Sequence, residues 1–256
     1  MSHCFLDGRF LPLEEARIDP LDRGFLFGDG VYEVVKIREA RLLFLDEHLR
    51  RLRGSLETAR MPCPWNLTEV AERLLEDDPV DEGSLYVQVT RGPGPRGHFP
   101  PEDPEPTVFA YATEHSHLPL PGPGLEVVTV PDWRWGRCDL KTTSLMATVL
   151  GKMEARDAGA DEVVFVADDG EVREGGSTSL LVRRSDAWET HPLDRSVLPG
   201  ITRAVLVELV SELEMPFRER PPRIEERDDW QELLLCGTLT GVQGVVAWDG
   251  EPVAGG

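Results

Sequence analysis

The stretch RCDLKTTSLMATVLGKMEA, residues 137–155, organises the reading of this chain. It holds Lys141, one of only three lysines in 256 residues, the others being Lys36 and Lys152. Arginine does nearly all the remaining cationic work, so each lysine invites a question. Downstream of Lys141, Ser144, Leu145, Met146, Val149, Leu150 and Met153 recur at helical spacing, which predicts a helix over 142–158. A lysine at the mouth of a helix among small hydroxyl residues is a candidate reactive amine. Partial burial favours its neutral form, and a neutral amine forms a Schiff base with an aldehyde. The same position also suits a lysine that only faces solvent, and this stretch by itself leaves both readings open.

Upstream, CFLDGRFLPLEEARI reads as a strand, an Asp7-Gly8 turn and a second strand. GFLFGDG reads as a tight connection rather than a helix. VYEVVKI is a β-branched strand with Tyr32, Val34 and Lys36 on one face and Glu33 and Val35 on the other. Whether Glu33 faces Lys141 is open at this point. Glu39-Ala40-Arg41 turns into a strand LLFL, and Asp46 is expected to cap a helix that puts His48, Arg51 and Leu52 on one face. A further helix is expected over Leu67–Leu75 and strands over 84–92 and TVFAYATE. Between those strands, PGPRGHFPPEDPEP is too rich in proline and glycine for regular structure, and a loop that long in a folded domain is usually functional or disordered. It carries Arg96 and His98.

The second half alternates strand and helix: LEVVTV, the 142–158 helix, DEVVFVADDGEVREGG around an Asp169-Gly170 turn, TSLLVRR, the helix LPGITRAVLVELVSEL and a closing strand region ELLLCGTLTGVQGVVAWDG. Gly200, Ile201 and Thr202 would offer backbone N–H groups at a helix N-terminus, which suits a phosphate and equally suits an ordinary cap. GTLTG at 237–241 offers further donors.

The formal charge of −20 argues against nucleic acid or an anionic membrane as partner, because phosphate contacts need clustered Lys and Arg. An anionic ligand would need a local cationic pocket working against that field. No apolar run reaches the ~20 residues of a membrane span, and no signal peptide opens the chain, so a cytoplasmic protein is expected. The four cysteines, Cys4, Cys63, Cys138 and Cys236, lack metal-like spacing and read as reduced, mostly core residues, with no metal site.

Taken in order, DRGFLFGDGVYEVVK (22–36), DEHLRRL (46–52), YVQVTRGPGPRGHFP (86–100), RWGRCDLK (134–141), LGKMEA (150–155), VREGGST (172–178), HPLDRSVLPGITR (191–203) and CGTLTG (236–241) resemble the fold-type IV pyridoxal-phosphate enzymes, and within them the D-amino acid transaminases. The resemblance implies an α/β (α+β) two-domain fold. Its small N-terminal domain would span 1–116, an interdomain linker 117–124, and a larger C-terminal domain with a barrel-like sheet 125–256. It implies pyridoxal 5′-phosphate as cofactor, joined to Lys141 as a Schiff base, with Lys141 also moving the proton at the substrate Cα. Glu174 matches the carboxylate that pairs with the pyridine nitrogen. Arg51 matches the phosphate cation, with Ile201, Thr202 and Thr238 adding donors and Leu198 packing on the ring. Arg96 and His98, with Tyr32, match an R-x-H trap for the substrate α-carboxylate, and Tyr86 lies near that pocket. In the family the R-x-H loop reaches across from the neighbouring subunit, which implies a homodimer with active sites near the interface.

The chain departs from the family pattern in three places. Relatives usually continue past DGEPVAGG into a C-terminal helix, which is apparently absent here. They usually have a serine in place of Gly176 and an asparagine in place of Ser179. A serine donor is also common where Gly237 stands. The expected function is transfer of the amino group of D-alanine or D-glutamate to a 2-oxo acid by ping-pong half-reactions. The rivals of the same fold are an L-branched-chain aminotransferase and a 4-amino-4-deoxychorismate lyase, both disfavoured by Arg96-x-His98. A rival of another class is a non-catalytic homologue that only binds the cofactor.

Overall fold

A computed structural model describes residues 3–116, 122, 124–185 and 187–253. The chain divides into two units, Met1–His117 with Leu140–Ser144, and Leu118–Asp139 with Leu145–Gly256. The segment expected as a linker, 117–124, lies outside the described residues except for 122 and 124.

Among the described residues, unit 1 is built on six strands: β1 (His3–Leu6), β2 (Arg9–Pro12), β3 (Gly30–Arg38), β4 (Arg41–Leu42), β5 (Gly83–Thr90) and β6 (Thr107–Glu114). They form one antiparallel sheet in the order β2-β1-β6-β5-β3-β4. Strand alternation divides its residues between two faces. Val31, Val35, Leu85, Val87, Val108 and Ala110 go to one face and form a core with Leu49 and Leu52 of helix α2 (Leu45–Ala59) and Ala71 and Leu74 of helix α3 (Leu67–Asp77). Tyr32, Tyr86 and Tyr111 go to the other face, side by side on β3, β5 and β6.

Unit 2 holds β7 (Leu125–Pro131), β8 (Glu162–Val166), β9 (Val172–Gly175), β10 (Ser179–Arg184), β11 (Ala187–Thr190), β12 (Phe217–Glu219), β13 (Trp230–Gly237), β14 (Gly241–Trp248) and β15 (Glu251–Pro252). These nine described strands make one mixed sheet, β12-β11-β10-β13-β14-β7-β8-β9, with β15 beside β14. Ala155 of helix α4 (Met146–Asp157) packs with Val163 and Phe165 of β8. Val210 of helix α5 (Ile201–Glu212) packs with Leu181 and Trp188. The fold class is the α/β two-domain class expected from the sequence.

Several local expectations are corrected. GFLFGDG contains a short helix, α1 (Arg23–Phe27), which Asp22 caps by accepting from Gly24 N–H and Gly28 ends in the left-handed conformation. Of LLFL only Leu42 lies in a strand, β4; α2 starts at Leu45 with Phe44 at its cap, and Asp46 stands in the first turn instead. The helix expected over 142–158 begins at Met146, because the backbone of residues 141–143 is hydrogen-bonded to β3. For the same reason Leu140–Ser144 belongs to unit 1, not to the C-terminal domain in which the sequence reading put it. Strands β11 and β12 were not anticipated; AWET is buried throughout and so shows no alternation.

Gly92, at the root of the 93–106 loop, has φ +80°, and a Cβ there would meet the Glu105 carbonyl oxygen at 1.7 Å. Gly54, inside α2, has nothing within 4 Å of an added Cβ. Gly92→Ala should therefore destabilise the protein by about 2 kcal/mol or more. Gly54→Ala should stabilise it by roughly 0.5–1 kcal/mol. Chemical denaturation of the two variants beside the wild type checks both signs.

Candidate active site

In unit 1 the segment around Lys141 adds itself to an open edge. β5 hydrogen-bonds β3 along Gly30–Ile37, while on the other edge β4 reaches only Ile37 and Arg38. Tyr32 N–H donates to the Lys141 carbonyl at 3.0 Å and Thr143 N–H to the Gly30 carbonyl at 3.0 Å, with a bridge between Val31 and Thr142. The hydroxyls of Thr143 and Ser144 donate to the Gly28 carbonyl at 3.2 and 3.3 Å. This pairing sets Lys141 Nζ over the Tyr32 ring, 4.3 Å from its centroid. Tyr32 in turn stacks on Tyr86 at 5.6 Å, and the Tyr86 hydroxyl donates to Gln88 Oε1 at 2.7 Å. Burial, with Tyr32 and Tyr111 nearby, pushes the Tyr86 phenol up, so it stays a neutral donor.

Glu33 points the other way, into the α2 side of the sheet, and is fully buried. Its carboxylate accepts from Arg51 Nε at 2.7 Å and Arg51 NH2 at 2.9 Å, and meets His48 Nδ1 at 2.7 Å. This settles the open question about Glu33: it orients Arg51 and does not face Lys141. Burial alone would raise the Glu33 carboxyl. Hydrogen bonds from His48 and Arg51 outweigh it and hold the group at about 2.

Arg96 and His98 are exposed and gather on one aromatic ring. The Arg96 guanidinium lies 5.7 Å and the His98 ring 6.1 Å from the centroid of Phe27. Between them, the Gly97 carbonyl accepts from Arg23 NH1 at 2.8 Å. Arg23 is itself buried and bonded to Asp29, which Arg91 also grips through Nε and NH2. Tyr32 stands in the separate Lys141–Tyr86 group, so the chain brings together Arg96 with His98, and Tyr32 with Lys141.

In unit 2 the centre is Glu174, on β9 and 6% exposed. It accepts from Arg134 NH1 at 2.6 Å and from Leu198 N–H at 3.1 and 3.2 Å. Arg134 also forks onto Asp132 and donates through NH2 to the Ser196 carbonyl. Burial pushes the Glu174 carboxyl up, against the pull of Arg134 and of Leu198 N–H. Ile201 and Thr202 open α5, whose Gly200 cap carries no side-chain acceptor for their N–H groups. Thr238 lies just past β13, and Gly237 packs so that a Cβ would come within 2.9 Å of the Ser177 carbonyl. The Thr178 hydroxyl is buried with no hydrogen-bond partner among the described residues.

This donor set fits a phosphorylated pyridine. A buried carboxylate is held by one cation and one N–H, and the N-terminus of a twelve-residue helix lies two residues beyond Leu198 with no side-chain cap. Sequence reasoning missed Arg134, Arg23 and Asp29. Arg134 and Arg137 both lie within two residues of an aspartate, and nothing local says that Arg134 turns inward to Glu174 while Arg137 pairs with Asp139 at the half-exposed surface.

A family model, amino-transferase class IV, matches residues 30–248. The D-alanine aminotransferase of Staphylococcus aureus (strain COL) is 32% identical over 264 residues, covering 100% of this chain and 92% of that protein. The D-alanine aminotransferase of Bacillus licheniformis is 33% identical over 259 residues, covering 98% and 89%. Among solved structures, the branched-chain amino acid aminotransferase of Escherichia coli superposes with a TM-score of 0.90 at 21% identity, covering 99% of this chain and 88% of that one. The chain belongs to the amino-transferase class IV family. It is an aminotransferase of fold type IV, and enzymes of this type use pyridoxal phosphate to exchange an amino group between an amino acid and a 2-oxo acid.

The depressed Glu33 carboxyl stabilises the folded state above its unfolded value of 4.5, and that contribution is lost as pH falls through about 2. Glu33→Gln should therefore cost on the order of 3 kcal/mol at pH 7, because the buried carboxylate that Arg51 grips is lost. The gap to wild type should narrow on acidification from pH 5 to pH 3, and close only below about 2. Denaturant titrations of both proteins across that range check the sign.

Proposed function

We propose that this chain is a homodimeric, cytoplasmic transaminase that moves the amino group of D-amino acids, D-alanine and D-glutamate among them, to 2-oxo acids through bound pyridoxal phosphate. The observation that carries the D-specific reading is the Arg96–Phe27–His98 cluster. Among the described residues Arg96 has no carboxylate partner, so its guanidinium can fork onto an incoming α-carboxylate. The full-length relatives named above as D-alanine aminotransferases support the same substrate class.

The cofactor, when bound, supplies a protonated ring that draws off the electron pair left when the substrate Cα loses its proton. The rest is the work of this chain's residues. Lys141 would hold the aldehyde carbon through Nζ and, once released, take and return the α-proton. The Tyr32 ring beneath that amine would keep it from swinging away. Glu174 would hold the proton at the ring nitrogen, with Leu198 N–H and Arg134 keeping its carboxylate aimed. Arg51, fixed in one rotamer by Glu33, would serve as the phosphate cation, with Ile201, Thr202 and Thr238 adding donors. Leu198 would pack on the ring and Tyr86 near the substrate. Arg96 and His98 would trap the α-carboxylate together with a Tyr32 hydroxyl, in the dimer that of the neighbouring subunit. The domain limits proposed are 1–116 and 125–256 about a linker at 117–124, with Leu140–Ser144 lent to the first.

An absorbance spectrum of the purified, cofactor-loaded protein tests this directly. A band at the edge of the visible should convert to a pyridoxamine-type band on adding D-alanine and stay unchanged with L-leucine. Conversion by L-leucine alone moves the function to an L-branched-chain aminotransferase. Lys141→Ala should lack the starting band. Arg96→Ala should keep that band while raising KM for D-alanine about tenfold or more, the effect of losing a charge-assisted pair.

A further inference from the structure

The segment His191–Leu198 is pinned by two consecutive side chains of one strand. Arg173 and Glu174 are neighbours on β9, so alternation sends them to opposite sides. Both nevertheless end on the same segment. Arg173 NH1 donates to Ser196 Oγ at 2.9 Å, while Glu174 accepts from Leu198 N–H two residues on. Arg134 closes the figure by giving NH1 to Glu174 and NH2 to the Ser196 carbonyl at 3.2 Å. Ser196 thus meets one guanidinium with its hydroxyl and a second with its carbonyl.

Arg173 is itself fixed. Its NH1 also lies 2.8 Å from Glu171 Oε2 and 2.7 Å from His191 Nε2. A guanidinium can only donate, so Nε2 accepts and the ring proton sits on Nδ1, which donates to the Pro192 carbonyl at 2.9 Å. Ser196 passes its own hydrogen on to Asp194 Oδ1 at 2.5 Å. His191 is 3% exposed, and the chain of donors runs from Arg173 to Asp194 without a gap.

We propose that Arg173 is a positioning residue for Glu174, which through Ser196 fixes Leu198 N–H and Arg134 against the Glu174 carboxylate and so keeps that carboxylate ionised opposite a ring nitrogen. The inference rests on the function proposed above. Donors to a carboxylate favour its charged form. Loosening the segment therefore makes Glu174 take the proton back from the ring.

The test uses full-length protein loaded with pyridoxal phosphate labelled with ¹⁵N in the ring. Ser196→Ala removes the hydroxyl and Ser196→Thr keeps it. In Ser196→Ala the ring-nitrogen resonance should move toward its unprotonated position. kcat should fall about fivefold with KM for the amino donor unchanged within about twofold, the loss of roughly one hydrogen bond. Ser196→Thr should restore both. In the cofactor-free protein, exchange of the Leu198 amide should quicken about tenfold in Ser196→Ala as its local opening becomes easier. Arg173→Met should move the same readouts the same way. A Ser196→Ala protein with a lower Tm but an unchanged resonance, kcat and Leu198 exchange overturns the proposal and leaves the proposed function standing. A wild-type protein that takes up no labelled cofactor overturns the function itself, and with it this role for Arg173.

Discussion

The pairing of residues 141–143 with the free edge of β3 is the contact that fixes the place of Lys141 in unit 1. Three features of β3 make it available. β4 is only two residues long and leaves the N-terminal half of that edge unpaired. Unpaired strand edges are strong acceptors of another extended segment. Gly28 and Gly30 let the partner come close, since a Cβ at 28 would stand 2.3 Å from Ser144 Oγ and one at 30 would stand 3.1 Å from Thr143 Oγ1. A run of threonines is well suited to extended pairing and poorly suited to a helix interior. The amine of Lys141 is therefore fixed over Tyr32 by backbone hydrogen bonds, not by its own long, flexible side chain.

The two units solve a similar electrostatic problem in different ways. Each buries a glutamate that must stay charged to be useful, and burial alone would neutralise it. In unit 1, Glu33 is saturated by His48 and a bidentate Arg51, and its carboxyl falls to about 2. Such a group is a rigid anchor with no proton to exchange. In unit 2, Glu174 has a single guanidinium and one N–H, and its carboxyl is pushed up. Arg134 is shared with Asp132, which dilutes its effect on Glu174. An under-compensated carboxylate is the kind that gains from a cationic ring placed against it. The difference in compensation, not in burial, separates Glu33 from Glu174.

How far the sequence could be read follows from the same physics. Apart from β4, the strands of unit 1 were legible, as were the 201–212 helix and the Asp169-Gly170 turn, because alternation, helical spacing and turn residues are local signals. The 142–158 helix was started four residues too early, since its first residues obey a partner strand over a hundred positions away. Helix α1 hides among glycines because its cap lies in Asp22 and Gly28, outside the aromatic run that draws the eye. At the site, Lys141, Glu174 and the Arg96–His98 pair became candidates because their motifs are local in the sequence. Their supports were not: Arg134, Arg23 and Asp29 act across 40, 74 and 62 positions, in pairings with Glu174, Gly97 and Arg91. Motifs mark candidate groups, whereas the side chains that hold those groups in place are fixed only by the fold.

The net charge of −20 makes the treatment of arginine informative. In so acidic a chain a carboxylate substrate meets a repulsive field at long range, and capture has to come from short-range cations. Most buried arginines are already committed: Arg23 and Arg91 to Asp29, Arg51 to Glu33, Arg134 to Asp132 and Glu174. Arg96 differs. It is exposed, without a carboxylate partner among the described residues, and held against the face of Phe27, which attracts a cation without neutralising it. Arg23 lies against the same ring, 4.7 Å from its centroid, and its bond to the Gly97 carbonyl fixes the loop on which Arg96 rides. A guanidinium braced by an aromatic ring and a tethered backbone is what the proposed capture of a carboxylate calls for, since such a group loses little entropy when it binds.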